Sequence, residues 1–212
     1  MSTTPLTRPA LGRPKDAAKR QAVLDAARRL FSGHGLDGTS MDQIAAEAGV
    51  SKLTVYNHFG DKENLFAEVV RSFCDNELPR RVFEPRAGET PRQTLLRIGH
   101  AFFAMMMSPE AIAGHRILST PQLAGSSLSA LFWEAGPQRI QRGLSDLLAL
   151  YAEQGVLRID DIPRAASQFF TLIKGEPHAQ QLFGFSCSGR QYSADEHVAG
   201  TVDMFLRAYA PD

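Results

Sequence analysis

Apolar residues along this chain recur every three or four positions, and almost nowhere do they alternate with polar ones in the two-residue period of a strand. That restricts the chain to helices packed on helices, an all-α fold. Ala22, Val23, Ala26, Ala27, Leu30 and Phe31 form the first stripe, which starts near Asp16 and stops at Gly33 and Gly35. Thr39 or Ser40 caps a short second helix, with Gln43 completing a capping box from Ser40. Met41, Ile44, Ala45 and Ala48 are its inner face. Gly49 breaks it, Ser51 caps a third short helix to about Asn57, and Asp61 caps a longer one carrying Leu65, Phe66, Val69, Val70 and Phe73.

The pattern stays helical beyond a loop that holds Pro79 and Pro85. Thr90 and Pro91 open a helix with Leu95, Ile98, Phe102, Phe103, Met106 and Met107. Shorter helices are expected over 109–118 and 122–135. A long one runs from Pro137 to about Gln154, another from near Pro163 to Phe183. The last has Ser193 and Glu196 as a capping box and ends near Ala208. The expected organisation is a flexible basic arm over 1–14, a helix-turn-helix domain over 15–62 and a helical bundle over 63–212, linked by the helix at about 62–78.

Composition narrows the function. Hydrophobic residues make up 43% and charged residues 22%, as in globular proteins. No apolar run is long enough for a bilayer, so no membrane partner is expected. The first residues lack the apolar stretch of a signal peptide, and a cytoplasmic protein is expected. Cys74 and Cys187 form no CxxC, and six histidines show no metal-ligand spacing, so neither metal nor cofactor is expected. HExxH, P-loop, GxGxxG and GxSxG patterns are absent. "GFSCS" at 184–188 has Ser188 where the second glycine belongs, so no catalytic residue is assigned. Net charge is zero, yet the first twenty residues carry Arg8, Arg13, Lys15, Lys19 and Arg20 against Asp16 alone, five against one, a net of +4. A basic end on a faintly acidic body fits either an anion-binding face or a solvated tail.

Helix, short helix, glycine turn, short helix is a helix-turn-helix arrangement, whose second short helix enters a DNA major groove. Val50, Val55 and Phe59 face inward on that helix, leaving Lys52, Leu53, Thr54, Asn57 and His58 outward. Thr39 and Ser40 offer hydroxyls at a helix N-terminus, an anion site. Ser51 repeats that chemistry at the next helix start. Tyr56 and Lys62 are placed for phosphates, and Leu53, Thr54 and Gln43 for bases. A domain that only bound other proteins gives no reason for this hydroxyl, lysine and tyrosine pattern.

The segment "TSMDQIAAEAGVSKLTVYNHFGDKENLF", residues 39–66, resembles the DNA-binding signature of the TetR/AcrR family of transcriptional regulators. The resemblance covers roughly residues 15–70. It implies DNA contacts from Thr39, Lys52, Thr54, Tyr56, His58 and Lys62. Leu53 departs from it, since family members commonly have glycine there. A leucine donates no hydrogen bond, but packs on a thymine methyl and so bears on sequence choice. Gly12-Arg13-Pro14-Lys15 resembles the core of a minor-groove arm, with Leu11 replacing the usual flanking arginine; Arg13 and Lys15 are its candidate contacts.

The resemblance further implies a ligand-binding, dimer-forming second domain, and residues 115–175 resemble the AefR-like subgroup. Candidate pocket residues are His100, Phe103, Met106, Met107, His115, Phe132, Trp133 and Phe169, for a small apolar or amphipathic ligand; aromatics and methionines also fill ordinary cores. Candidate homodimer residues are Phe170, Ile173, Val198, Val202, Phe205 and Leu206, which alternatively close the subunit's own core. The expected function is a repressor, not an enzyme, released from a near-palindromic operator by a small molecule. An architectural DNA binder without a ligand is the alternative.

Overall fold

The computed structural model describes residues 13–121, 123–185 and 193–211, with side chains from Asp16 onward. Among them every regular element is helical: α1 (Arg13–His34), α2 (Met41–Glu47), α3 (Lys52–Phe59), α4 (Lys62–Glu77), a 3-10 turn (Arg80–Phe83), α5 (Pro91–Met106), α6 (Pro109–Leu118), α7 (Ser127–Ala135), α8 (Pro137–Glu153), α9 (Ile162–Leu182) and α10 (Ala194–Ala208). The chain divides into two compact units, one ending at Val69 and the other beginning at Val70, so the division falls inside α4.

In the first unit α1 buries Val23, Leu24, Ala26, Ala27 and Phe31. Ile44 of α2, Val55 and Phe59 of α3 and Leu65 of α4 are buried with them. Phe31 and Phe66 meet edge to face at 5.8 Å. Ion pairs Arg20–Glu68 and Arg29–Glu47 tie α1 to α4 and to α2. The capping box at α2 forms as expected: Gln43 N–H donates to Ser40 Oγ at 3.2 Å, and Ser40 N–H donates to Gln43 Oε1 at 2.7 Å. One expectation is corrected. Arg13 and Pro14 were expected in an extended arm, but with Lys15 they are the first turn of α1. Proline is tolerated there, because the first N–H groups of a helix have no intrahelical partner.

In the second unit Leu95, Ile98 and Phe102 of α5 pack with Leu144, Leu147 and Leu148 of α8, with Phe169 of α9 and with Phe205 of α10. Phe169 and Phe205 lie edge to face at 5.2 Å. This core absorbs several residues named above for other tasks. Phe170, Ile173, Val198, Val202 and Phe205 are buried in it, and Leu206 is half-buried against it, so they close the subunit's own core. Phe103, Met106 and Phe169 are core residues too, and Met107 packs on the core's edge. The large apolar side chains that α9 and α10 leave exposed are Leu172 and Met204, and Phe183 and Phe185 stand exposed just past α9.

α9 is broken where the sequence reads Gly175-Glu176-Pro177. Gly175 has φ +51°, a region that L side chains rarely adopt. Pro177 has no N–H, and its ring excludes the carbonyl four residues back. That carbonyl, of Ile173, accepts instead from His197 Nε2 of α10 at 2.9 Å, so this nitrogen carries the proton.

Arg97 of α5 clamps the connection between α4 and α5. It donates to Glu89 Oε2 at 2.7 Å, Glu89 Oε1 at 3.0 Å, Val82 O at 2.5 Å and Glu84 O at 3.1 Å. The hydrogen bonds that the Glu89 carboxylate accepts, those from Arg97 foremost and then those from Arg86 N–H and Thr94, hold it down to about 2. Its folded value thus lies below the unfolded value of about 4.3. The resulting stability is complete above the unfolded value and is lost as pH falls toward 2. Glu89→Gln should therefore flatten the acid limb of thermal stability between about pH 4.5 and 2, measured by unfolding scans across that range.

Gly143 of α8 lies under the Phe83 ring: a Cβ there would stand 2.6 Å from Cδ2. Gly143→Ala gains about 1 kcal/mol of helix propensity, but overpacking costs about 1–3 kcal/mol, so urea unfolding should show net loss. Gly114 of α6 has nothing near its would-be Cβ. Gly114→Ala should raise stability by about 0.5–1 kcal/mol.

Candidate nucleic-acid interface

With Val55 and Phe59 held inward, α3 turns Lys52, Leu53, Tyr56 and Asn57 outward. Leu53 is 68% exposed and Tyr56 42%, so neither side chain is placed by core packing. Ser51 caps α3, its Oγ accepting from Thr54 N–H at 3.2 Å; the two hydroxyls lie 2.8 Å apart. Exposed Ser40 and Gln43 stand at the start of α2. A cleft runs across this face, lined by residues 37–43 with Lys52, Tyr56, Asp61 and Lys62. Lys52 Nζ sits 2.8 Å from Asp42 Oδ1 and 5.9 Å from the centre of the Tyr56 ring. The hydrogen bond to Asp42 raises the Lys52 pKa and keeps the ammonium charged.

Hydroxyl, phenol, amide and ammonium groups on one outward row suit phosphate oxygens and base edges, and the exposed leucine suits a thymine methyl. Three side chains named for DNA contacts bond within the unit. Thr39 is buried, and its hydroxyl donates to Gly35 O at 2.8 Å, with Leu30 O at 3.3 Å. It closes the turn after α1 and presents no hydroxyl outward. Lys62 donates to Leu36 O at 2.8 Å and Thr39 O at 3.1 Å, which leaves one of its three protons. His58 turns toward α1, with Nε2 3.1 Å from Asp16 Oδ1 and only 16% of its side chain exposed. The Arg13 and Lys15 side chains lie outside the described residues. Asp42 was not foreseen as the partner of Lys52. Its only signal was an acidic residue in a first helical turn, which is favourable there for the helix alone.

His115 and Phe132 come together, rings edge to face at 5.8 Å, and His115 Nδ1 lies 3.1 Å from His178 Nε2, a partner the sequence did not suggest. His100 is 3.5 Å from the exposed Asp195, and Trp133 is half exposed. Among the described residues no three metal-binding side chains converge, and no helix is long and apolar enough to cross a membrane.

Two short helices packed across a glycine turn, with a polar outward row on the second, define a helix-turn-helix protein of the class that regulates transcription through DNA. Residues 23–69 match the family model for bacterial regulatory proteins of the tetR family, and residues 93–211 match the C-terminal domain of AefR-like transcriptional repressors. The chain belongs to the TetR family. It is 33% identical over 101 residues to the regulator BetI of Rhizobium meliloti, covering 46% of this chain and 49% of that one. Over 50 residues it is 50% identical to the regulator AcrR of Shigella flexneri, covering 24% and 23%. The chain thus spans less than half the length of these curated relatives. Solved structures match over far more. A TetR-family regulator from Mesorhizobium loti superposes with TM-score 0.76 at 27% identity, over 93% of this chain and all of that one. The flavonoid-responsive regulator FrrA superposes with TM-score 0.74 at 30% identity, over 92% and 98%.

Thr39→Val keeps the shape but removes a buried donor. It should lower stability by about 1–2 kcal/mol in urea unfolding. DNA affinity of the folded protein should stay unchanged; a selective loss of affinity would return Thr39 to the contact row.

Proposed function

We propose that this chain is a sequence-specific transcriptional repressor of the cytoplasm. It binds a near-palindromic operator as a homodimer and leaves it when a small molecule binds the second unit. The outward row of Lys52, Leu53, Tyr56 and Asn57 on α3 carries this reading, because nothing in the core requires those side chains. Lys52 and Tyr56, with Ser40 and Ser51 at two helix starts, are assigned to phosphates and position the protein. Leu53, Thr54, Asn57 and Gln43 are assigned to base edges. The exposed Leu172, Phe183 and Met204 are assigned to the dimer face, in place of the residues found in the core. A twofold dimer sets its half-sites about 34–36 Å apart, or a multiple of that. Resemblance to FrrA, which is named as flavonoid-responsive, supports a ligand. The ligand acts by preferring one of two arrangements of the reading heads, and α4, which spans the division between units, is the proposed link.

The test is selection of genomic fragments by the purified protein at near-physiological salt, read by sequencing. One enriched near-palindrome is expected, with affinity falling steeply as salt rises, because phosphate contacts release counterions. Enrichment that tracks A·T content alone would replace this reading with an architectural role. Leu53→Gly should narrow the affinity differences among operator variants. Equal weakening of all variants would show that Leu53 does not select sequence.

A further inference from the structure

The second unit gathers three basic side chains that make no ion pair among the described residues. His115 of α6 and His178 of α9 approach through Nδ1 and Nε2 at 3.1 Å, their rings nearly perpendicular with centres 5.1 Å apart. Phe132 of α7 stands edge-on to His115 at 5.8 Å. Lys174 of α9 is half-buried and close enough for its charge to act on both histidines. Among the described residues it makes no hydrogen bond or ion pair. The charged and titratable groups on the neighbouring helices face other partners or water. Arg116 of α6 donates to Leu182 O at 2.9 Å and Gln181 O at 2.6 Å. Glu176 of α9 accepts from Gln180 at 2.8 Å, and His197 of α10 bonds Ile173 O. Glu134 of α7 is exposed.

Such a cluster is costly as it stands. Burial, reinforced by the neighbouring His178 and Lys174, pushes His115 down to about 4, and burial also lowers His178 and Lys174. At neutral pH the histidine pair is uncharged, one ring donating to the other, beside a half-buried ammonium that has lost part of its water and gains no counter-charge among the described residues. A structural basic residue is ordinarily paired when buried, as Arg97 is with Glu89 in the same unit. The chemistry that completes the cluster is a negative charge brought from outside, on a body that packs against an aromatic ring.

We propose that His115, His178 and Lys174 form the recognition point for an aromatic carboxylate, with the carboxylate held by Lys174 and the histidine pair and the ring against Phe132. The proposal rests on reading the second unit as the ligand-binding unit. The incoming charge favours imidazolium over imidazole, so the pair takes up a proton on binding. Binding therefore tightens as pH falls toward the free-state values, which burial lowers below the ordinary histidine range, to about 4 for His115.

The test is calorimetry on the full chain without DNA. The probes are benzoate and 2-naphthoate, their neutral amides, and inorganic phosphate, in two buffers of different ionisation enthalpy. The carboxylates should bind with proton uptake that grows as pH is lowered from about 7 to about 5.5, and the amides should bind at least about tenfold more weakly, as the loss of one charge-assisted contact implies. Lys174→Met should weaken the carboxylates by a similar factor. His178→Gln, which keeps a hydrogen-bonding group, should reduce the proton uptake even if Lys174→Met does not fold. Amides equal to carboxylates, phosphate equal to naphthoate, variants equal to the parent, or no carboxylate binding at millimolar concentration would each overturn the proposal. Operator release is read separately. Carboxylate binding without release keeps the site and overturns ligand-controlled repression; release by some other compound, with no carboxylate binding, does the reverse.

Discussion

The outward face of the first unit depends on two helices of seven and eight residues that do not persist without their packing. Ile44, Val55 and Leu65 are completely buried. Each such side chain contributes about 1.5–3 kcal/mol, whereas a cap such as Ser40 or Ser51 contributes about 1 kcal/mol. Packing therefore holds the helices, and the caps set where they begin. One consequence is chemical freedom: residues opposite Val55 and Phe59 add little to the fold and can be chosen for what they touch. A second is rigidity. Thr39 and Lys62 spend their polar groups on the α1–α2 connection, which fixes the entry to α2.

Most of the helices were legible because each carried its own punctuation. Ser40 with Gln43, Thr90 with Gln93 and Ser193 with Glu196 all form the reciprocal boxes that their spacing allows. Pro91, Pro109 and Pro137 stand in first turns, where their missing N–H costs nothing. The start of α1 was misread because Pro14 looks like a helix breaker and is equally at home as an opener. The break in α9 was also missed: an apolar stripe continues through Gly175 and Pro177, and periodicity does not report a backbone turn that His197 completes from another helix.

The candidate site was legible only in part, for a related reason. Sequence shows which residue types face out, but not which of them are already bound. Lys52, Leu53, Tyr56 and Asn57 stayed outward; Thr39, Lys62 and His58, of the same chemistry, were drawn into contacts with chain far away in sequence or packed behind the face. On α9 and α10 the difficulty was one of degree. Both helices are apolar over so much of their surface that Phe170, Val198 and Phe205 could serve a dimer or a core equally well, and only burial distinguishes the two.

What separates frame from site is therefore satisfaction rather than residue type. Arg97 has five donors, and Glu89, Val82 and Glu84 accept four hydrogen bonds from them, so the clamp is complete without a ligand. Lys62 loses two of three protons to carbonyls and serves the turn. The Lys52–Asp42 pair is complete as well, but with more than half of each side chain in water it is worth at most about 1 kcal/mol. A phosphate oxygen replaces such a carboxylate at little cost, so pairing does not remove Lys52 from the reading face. Lys174 is the opposite case. It is half-buried beside two histidines that burial holds neutral, and no acceptor among the described residues repays its desolvation. A fold that needed only a core would place an aliphatic chain there; an ammonium kept at that cost is what the proposed carboxylate would offset.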